Sequence, residues 1–217
     1  MKRESPAAFE QWKSQETDDW SPSYGVLAGD TKRTLHRALL DEQGHVCCYC
    51  GRSIDDQDSH IEHVRPQRGF KHLELDYVNL HASCVRSPQG PRSAWHCGHA
   101  KQNEFDEALF ISPTDESCEQ RFIYAVNGVL YPGADDAPAE YMLRLLGLNA
   151  DVLSEWRKAV LEHVFDDEFV ETATERELEL LAMTYRLPEA NGRCNNFGHV
   201  VARHAEQLRA RMRRLPR

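Results

Sequence analysis

Seven of the eleven histidines (His45, His60, His63, His72, His81, His96 and His99) and five of the seven cysteines (Cys47, Cys48, Cys50, Cys84 and Cys97) fall within residues 41–105 of the 217-residue chain. The first twenty residues, MKRESPAAFEQWKSQETDDW, have a basic start with no apolar stretch behind it, so no secretory leader is expected. No run approaches the ~18–20 apolar residues of a membrane span. The expected location is therefore cytoplasmic, where thiols stay reduced. There, such a cluster points to metal rather than to disulfides.

Cys47-x-x-Cys50 has the spacing at which two thiolates reach one tetrahedral Zn²⁺, and Cys84 and Cys97, with twelve residues between them, supply a second pair. Zinc held this way would close the segment between them and tie whatever begins at Cys97 to the knuckle. The competing expectation is four unpaired buried thiols. Cys48 should point away from its ligand neighbours, and Cys118 and Cys194 read as inert.

Around this cluster the pattern predicts an α+β chain. Residues 31–43 place Leu35, Ala38, Leu39 and Glu42 at helical spacing. HVCCYCGRSI, broken at Gly51, predicts a zinc-knuckle hairpin, and residues 60–66 alternate up to Pro66 as a strand would. Residues 67–96 predict a long irregular loop, and a helix is expected from about Trp95 through CGHAKQNEFDEAL. Asn127-Gly128, between two β-prone runs, predicts a hairpin with a type I′ turn. The remainder reads as helices over 139–147, from Asp151 to 165, over 174–186, and from about 196. Leu143, Leu146, Leu153, Trp156, Val160 and Val164 form an apolar stripe expected to face a core.

Charge argues weakly against nucleic acid. The net charge is −9, and residues 1–200 carry 20 basic against 34 acidic side chains. The tail alone is basic, with Arg203, Arg209, Arg211, Arg213, Arg214 and Arg217 against Glu206. It is read equally as a contact for nucleic acid or for a partner, and the acidic stretch 166–179 first as a solvated face, with partner binding as the other reading.

Between the two cysteine pairs lie His60-Ile61-Glu62-His63-Val64-Arg65-Pro66 and Asp76-Tyr77-Val78-Asn79-Leu80, and the second pair ends in Cys97-Gly98-His99-Ala100-Lys101. Phosphodiester cleavage needs an activated water and a cation beside the scissile phosphate. Glu62 and His63, adjacent on a strand, point to opposite faces, so one can hold a metal while the other addresses the water. His99 can complete the metal site from the following helix. His60 reads first as a solvated strand residue, with pairing to the metal or the phosphate as the other reading, His81 as structural and His96 as a loop residue. Lys101 reads equally as a phosphate contact or a salt bridge.

The order Cys-x-x-Cys, Glu-His-x-x-Pro, Asn-Leu, Cys, Cys-Gly-His-x-Lys resembles the HNH endonucleases of the ββα-metal class in their zinc-bound form. LLDEQGHVCCYCGR, LFISPTDESCEQRF and AEYMLRLLGLN narrow the resemblance to the PtuB-like HNH subunits of Septu and retron-associated anti-phage systems. The resemblance covers most of residues 30–150. It implies a zinc-stapled ββα nuclease core over 44–115, an N-terminal helical segment over 1–43, and a hairpin plus mainly helical region over 116–217. It further implies His63 as general base, Asn79 orienting it, and Glu62 and His99 as ligands of a catalytic Mg²⁺ or Mn²⁺, with Asn103 a candidate further ligand. Nucleic acid and an ATPase subunit would be its partners, with no membrane involved. DNA and RNA substrates, including tRNA, stay open, as does a non-catalytic zinc-ribbon module, which would not need Glu62, His63, Asn79 and His99 together.

Overall fold

In the computed structural model, residues 2–213 are described, and they form eight α-helices and two two-stranded sheets. α1 (Ala7–Lys13) sends Phe9 into the core. α2 (Gly29–Glu42) buries Leu35, His36, Leu39 and Leu40, and this face packs on the first sheet. That sheet pairs β1 (Ser59–His63) antiparallel with β2 (Leu80–Cys84), so that Glu62 stands opposite His81 and His63 opposite Leu80. β2 lies in the segment expected to be irregular. Every one of its residues is buried, His81 and Ser83 included, so it carries no outward polar face to mark it as a strand.

α3 (Cys97–Lys101) packs against β2 and stops much earlier than the pattern suggests. Gln102 takes a left-handed φ of +50°, and the Asp106 carboxylate accepts from the backbone N–H groups of Ala108 and Leu109. That side chain offers the backbone a turn in place of the helix.

The second sheet joins β3 (Phe122–Tyr124) to β4 (Leu130–Pro132). Its turn differs from type I′. Only Gly128 has positive φ (+78°), and Gly128 N–H donates to Ala125 while Ala125 N–H donates to Val129. This is a three-residue loop with glycine at its left-handed position. The buried Arg157 guanidinium donates to the Gly128 and Leu148 carbonyls, fixing the loop against the helices.

Those helices are α4 (Ala137–Leu145), capped by Asp136, then α5 (Asp151–Val164), α6 (Asp167–Thr172), α7 (Glu175–Arg186) and α8 (Gly198–Met212). A Thr174/Glu177 capping box starts α7. Of the apolar stripe, Leu146 and Leu153 are fully buried, whereas Trp156 is 40% exposed with the Arg52 guanidinium over its ring. Ion pairs stitch α8 to α7: Arg209 to Glu179 at 3.1 Å, Arg213 to Glu175 at 2.7 Å and Glu206 to Arg186 at 3.0 Å. The acidic stretch is thus partly a docking face for the arginines of α8. Arg214 and Arg217 lie outside the described residues.

The knuckle is buttressed from far along the chain. Cys194 N–H donates to the Gly44 carbonyl, Phe197 N–H to the Gly51 carbonyl, and Ser53 N–H to the Asn196 side chain. Among the described residues, no helix is long and apolar enough to cross a membrane.

Candidate metal and catalytic centre

Cys47, Cys50, Cys84 and Cys97 are all buried, and their sulfurs lie within 4.8 Å of one another. Cys47 and Cys50 come from the turn closed by Cys47 N–H to Arg52 and Gly51 N–H to Cys47, Cys84 from the end of β2, and Cys97 from the start of α3. The Cys50–Cys84 separation of 3.8 Å is far beyond a disulfide bond. It matches the ~3.8 Å edge of a tetrahedron with ligands at about 2.3 Å. Burial opposes ionisation of Cys47, yet the neighbouring thiols hold its pKa well below the ordinary thiol range. Burial pushes Cys97 up. Four buried sulfurs set this close together suit a zinc ion, which this set could hold. His96 sits beside it with Nδ1 at 3.5 Å from Cys84 Sγ and 3.4 Å from Cys97 Sγ, so it is a buried neighbour of the tetrad rather than a free loop residue.

One face of β1 turns toward α3. Glu62 is buried there, with Oε1 3.0 Å from Lys101 Nζ and accepting from Tyr49 OH at 3.1 Å. Lys101 is 1% exposed and also donates to the His63 carbonyl, which gives it a buried salt bridge in place of a phosphate contact. Burial opposes the Glu62 charge, but His60 and Lys101 hold its pKa below the usual carboxylate range. Its other oxygen, Oε2, faces His60 Nε2 at 3.6 Å.

His60 is therefore no solvated strand residue. Its Nδ1 donates to the Val85 carbonyl at 2.7 Å, and His99 Nε2 donates to the same oxygen at 2.8 Å, with the two rings 4.4 Å apart. Val85 holds that carbonyl in place at φ +66°, a strained conformation for a β-branched residue. Gly98 leaves the space between the donors open. A Cβ there would lie 2.5 Å from Glu62 Oε2 and 2.7 Å from His60 Nε2. An imidazole nitrogen and a carboxylate oxygen facing one another across the gap that a Cβ at Gly98 would fill fit a divalent cation, with His99 alongside. These atoms are spread more widely than the sulfurs, since the cysteines are the one close-set group of three or more ligands among the described residues. Asn103 is exposed and lies beyond the end of α3.

His63 occupies the opposite face. Its Nε2 lies 3.0 Å from the Glu74 carbonyl, which can only accept, so Nε2 carries the proton and Nδ1 the lone pair. Burial lowers its pKa, leaving the ring neutral near pH 7. Tyr24 meets the ring edge-on at 4.4 Å. Asn79 makes no hydrogen bond to the imidazole among the described residues. It accepts from Arg65 N–H at 2.7 Å and donates to the Arg65 and Leu73 carbonyls, pinning the loop whose Glu74 carbonyl holds His63. Its influence on the ring is through that loop.

Val85 and Tyr24 are not found by sequence reasoning, which weighs His60 as a metal or phosphate partner but ranks that reading below a solvated residue. Only His60 left a signal, its spacing two residues before Glu62, which puts both on one face of the strand.

No family model matches the chain. It is similar to a Vibrio cholerae serotype O1 biovar El Tor protein named "Retron Vc95 putative HNH endonuclease", with 29% identity over 141 residues. The match covers 61% of this chain and 66% of the relative, just under two thirds of that protein's length.

Proposed function

We propose that this chain is a metal-dependent HNH endonuclease that hydrolyses nucleic-acid phosphodiesters as the effector of a retron-associated or Septu-like anti-phage system. The observation that carries this reading is His63, a neutral imidazole clamped at Nε2 with Nδ1 left as a base, back to back with Glu62 on one short strand. The likeness to the retron protein supports it.

In the mechanism, His63 Nδ1 takes the proton of a water that attacks phosphorus in line. The bond to the 3′ oxygen breaks, and that oxygen leaves with the bonding pair and takes a proton from solvent, giving a 5′-phosphate and a 3′-hydroxyl. The Glu74 carbonyl keeps the imidazole in the required tautomer, and Asn79 keeps that carbonyl in place. Glu62 and His60, with His99 beside them, are the residues that would hold Mg²⁺ or Mn²⁺, which supplies charge stabilisation at the phosphate when bound. The cysteine tetrad would hold zinc as a structural staple. The 34 acidic against 20 basic side chains of residues 1–200 make the chain a poor nucleic-acid binder by itself. An ATPase partner that binds nucleic acid and presents it would supply what this surface lacks.

The test is His63→Ala on a panel of DNA and RNA substrates, with and without the neighbouring ATPase. Cleavage should fall by at least about 10²-fold, with zinc content and fold retained. A folded His63→Ala protein that cuts at the wild-type rate would overturn the assignment.

A further inference from the structure

A cavity of about 390 Å³ runs along the edge of β1 that no other strand covers, lined by Tyr24, Lys32, Arg33, His36, His60 and Arg86 among others. We propose that this cleft is the track for the sugar–phosphate backbone of the substrate strand, delivering it to His63 and His60. The proposal rests on the nuclease reading and deepens it.

Three observations converge on the cleft. Its charge is opposite to that of the chain. Lys32 and Arg86 have no carboxylate partner among the described residues, whereas Arg209 and Arg213 are committed to ion pairs with α7. Lys32 instead lies 4.8 Å over the Tyr24 ring, and Arg33 pairs only with the solvent-exposed Asp30. The cleft also joins both faces of the candidate site. Tyr24 touches His63 from the cleft side, and His60 lines the wall while facing Glu62 behind it. Finally, the amino end of α2, with Gly29 in the same wall, has no side-chain cap on its free N–H groups. Uncapped N–H groups at a helix start are donors from which an anion can accept. A chain with a net charge of −9 cannot grip a polyanion over its whole surface, so a local basic cleft at the reacting groups is where the grip must be.

The experiment measures binding rather than cleavage, so that it reads separately from the nuclease assignment. A His63→Ala chain, alone and in complex with its ATPase, is titrated with a short oligonucleotide, once as DNA and once as RNA, over a range of salt. Lys32→Gln with Arg86→Gln should weaken binding by about five- to tenfold per lost contact at ~0.1 M salt, and flatten the log–log salt slope by about 1.4–1.8. Arg86→Glu alone, at an exposed position, should weaken it at least as much as Arg86→Gln. Arg144→Gln, outside the cleft, should leave affinity unchanged. The stronger of the DNA and RNA arms names the substrate class. Unchanged affinity and salt slope in the cleft variants, with binding intact, would refute the track while leaving His63 as the base. Affinity lost equally in Arg144→Gln would refute it as well.

Discussion

Adding a single methyl group to Gly98 separates the catalytic half of the centre from the zinc half. A Cβ at this position would stand 2.5 Å from Glu62 Oε2 and 2.7 Å from His60 Nε2, against about 3.4 Å for ordinary contact. Relief requires the carboxylate to retreat by about 0.9 Å and the imidazole by about 0.7 Å. Neither can move freely, because Tyr49 and Lys101 hold Glu62 from behind and the Val85 carbonyl holds His60. Displacements near 1 Å at reacting groups cost on the order of 10²-fold in rate. The stability cost is smaller. Overpacking costs about 1–3 kcal/mol, and alanine regains about 1 kcal/mol over glycine within a helix. Gly98→Ala should therefore be folded, with full zinc and a stability loss of at most about 2 kcal/mol, yet cleave about 10²-fold more slowly and need more divalent cation. Single-turnover cleavage, a Mn²⁺ titration and elemental analysis on one preparation provide the test. Wild-type cleavage by Gly98→Ala would refute the cradle between Glu62 and His60.

Lys101→Met should destabilise the fold by about 3–5 kcal/mol, because it strands the buried Glu62 charge, and Glu62→Gln in the same chain should recover much of the loss in denaturant melts. His81 is buried with neither ring nitrogen hydrogen-bonded, and burial pushes its pKa down to about 4. The unfolded chain thus takes up this proton first, and stability drains away as pH falls from about 6.5 towards 4, on the order of 3 kcal/mol in all. His81→Phe should be more stable than wild type, by a margin that widens from pH 7 to pH 4.5; a constant margin would contradict this. Purified protein should carry about one zinc per chain, and Cys84→Ser or a strong chelator should unfold or aggregate it. A folded, zinc-free sample would remove the staple.

The cysteine tetrad was legible because cysteine identity and clustering constrain chemistry more tightly than any periodicity does. Glu62 and His63 were legible as a pair because adjacency on a strand fixes opposite faces. The supports of the centre were not. Tyr24 reaches His63 from an irregular segment 39 residues upstream, and irregular chain has no period to read. Val85 serves through a backbone carbonyl, which no side-chain pattern reports. α3 was overestimated because Asn103-Glu104-Phe105-Asp106 continues a helical composition, while Asp106 turns the backbone aside. Asn79 was identified as a residue, but its lever on His63 is a loop rather than a direct bond.

The long-range buttress of the knuckle sets a timetable for synthesis. Gly51 accepts from Phe197, 146 residues later in the chain. At 5–20 residues per second, the ribosome takes about 7–30 s to cover that interval. Throughout it the cysteine turn has emerged, but the segment that braces it has not been made. The centre is therefore among the last parts of the chain to become rigid, and a nascent chain interrupted between His99 and Cys194 carries Glu62, His63, Asn79 and His99 without the brace that holds their scaffold.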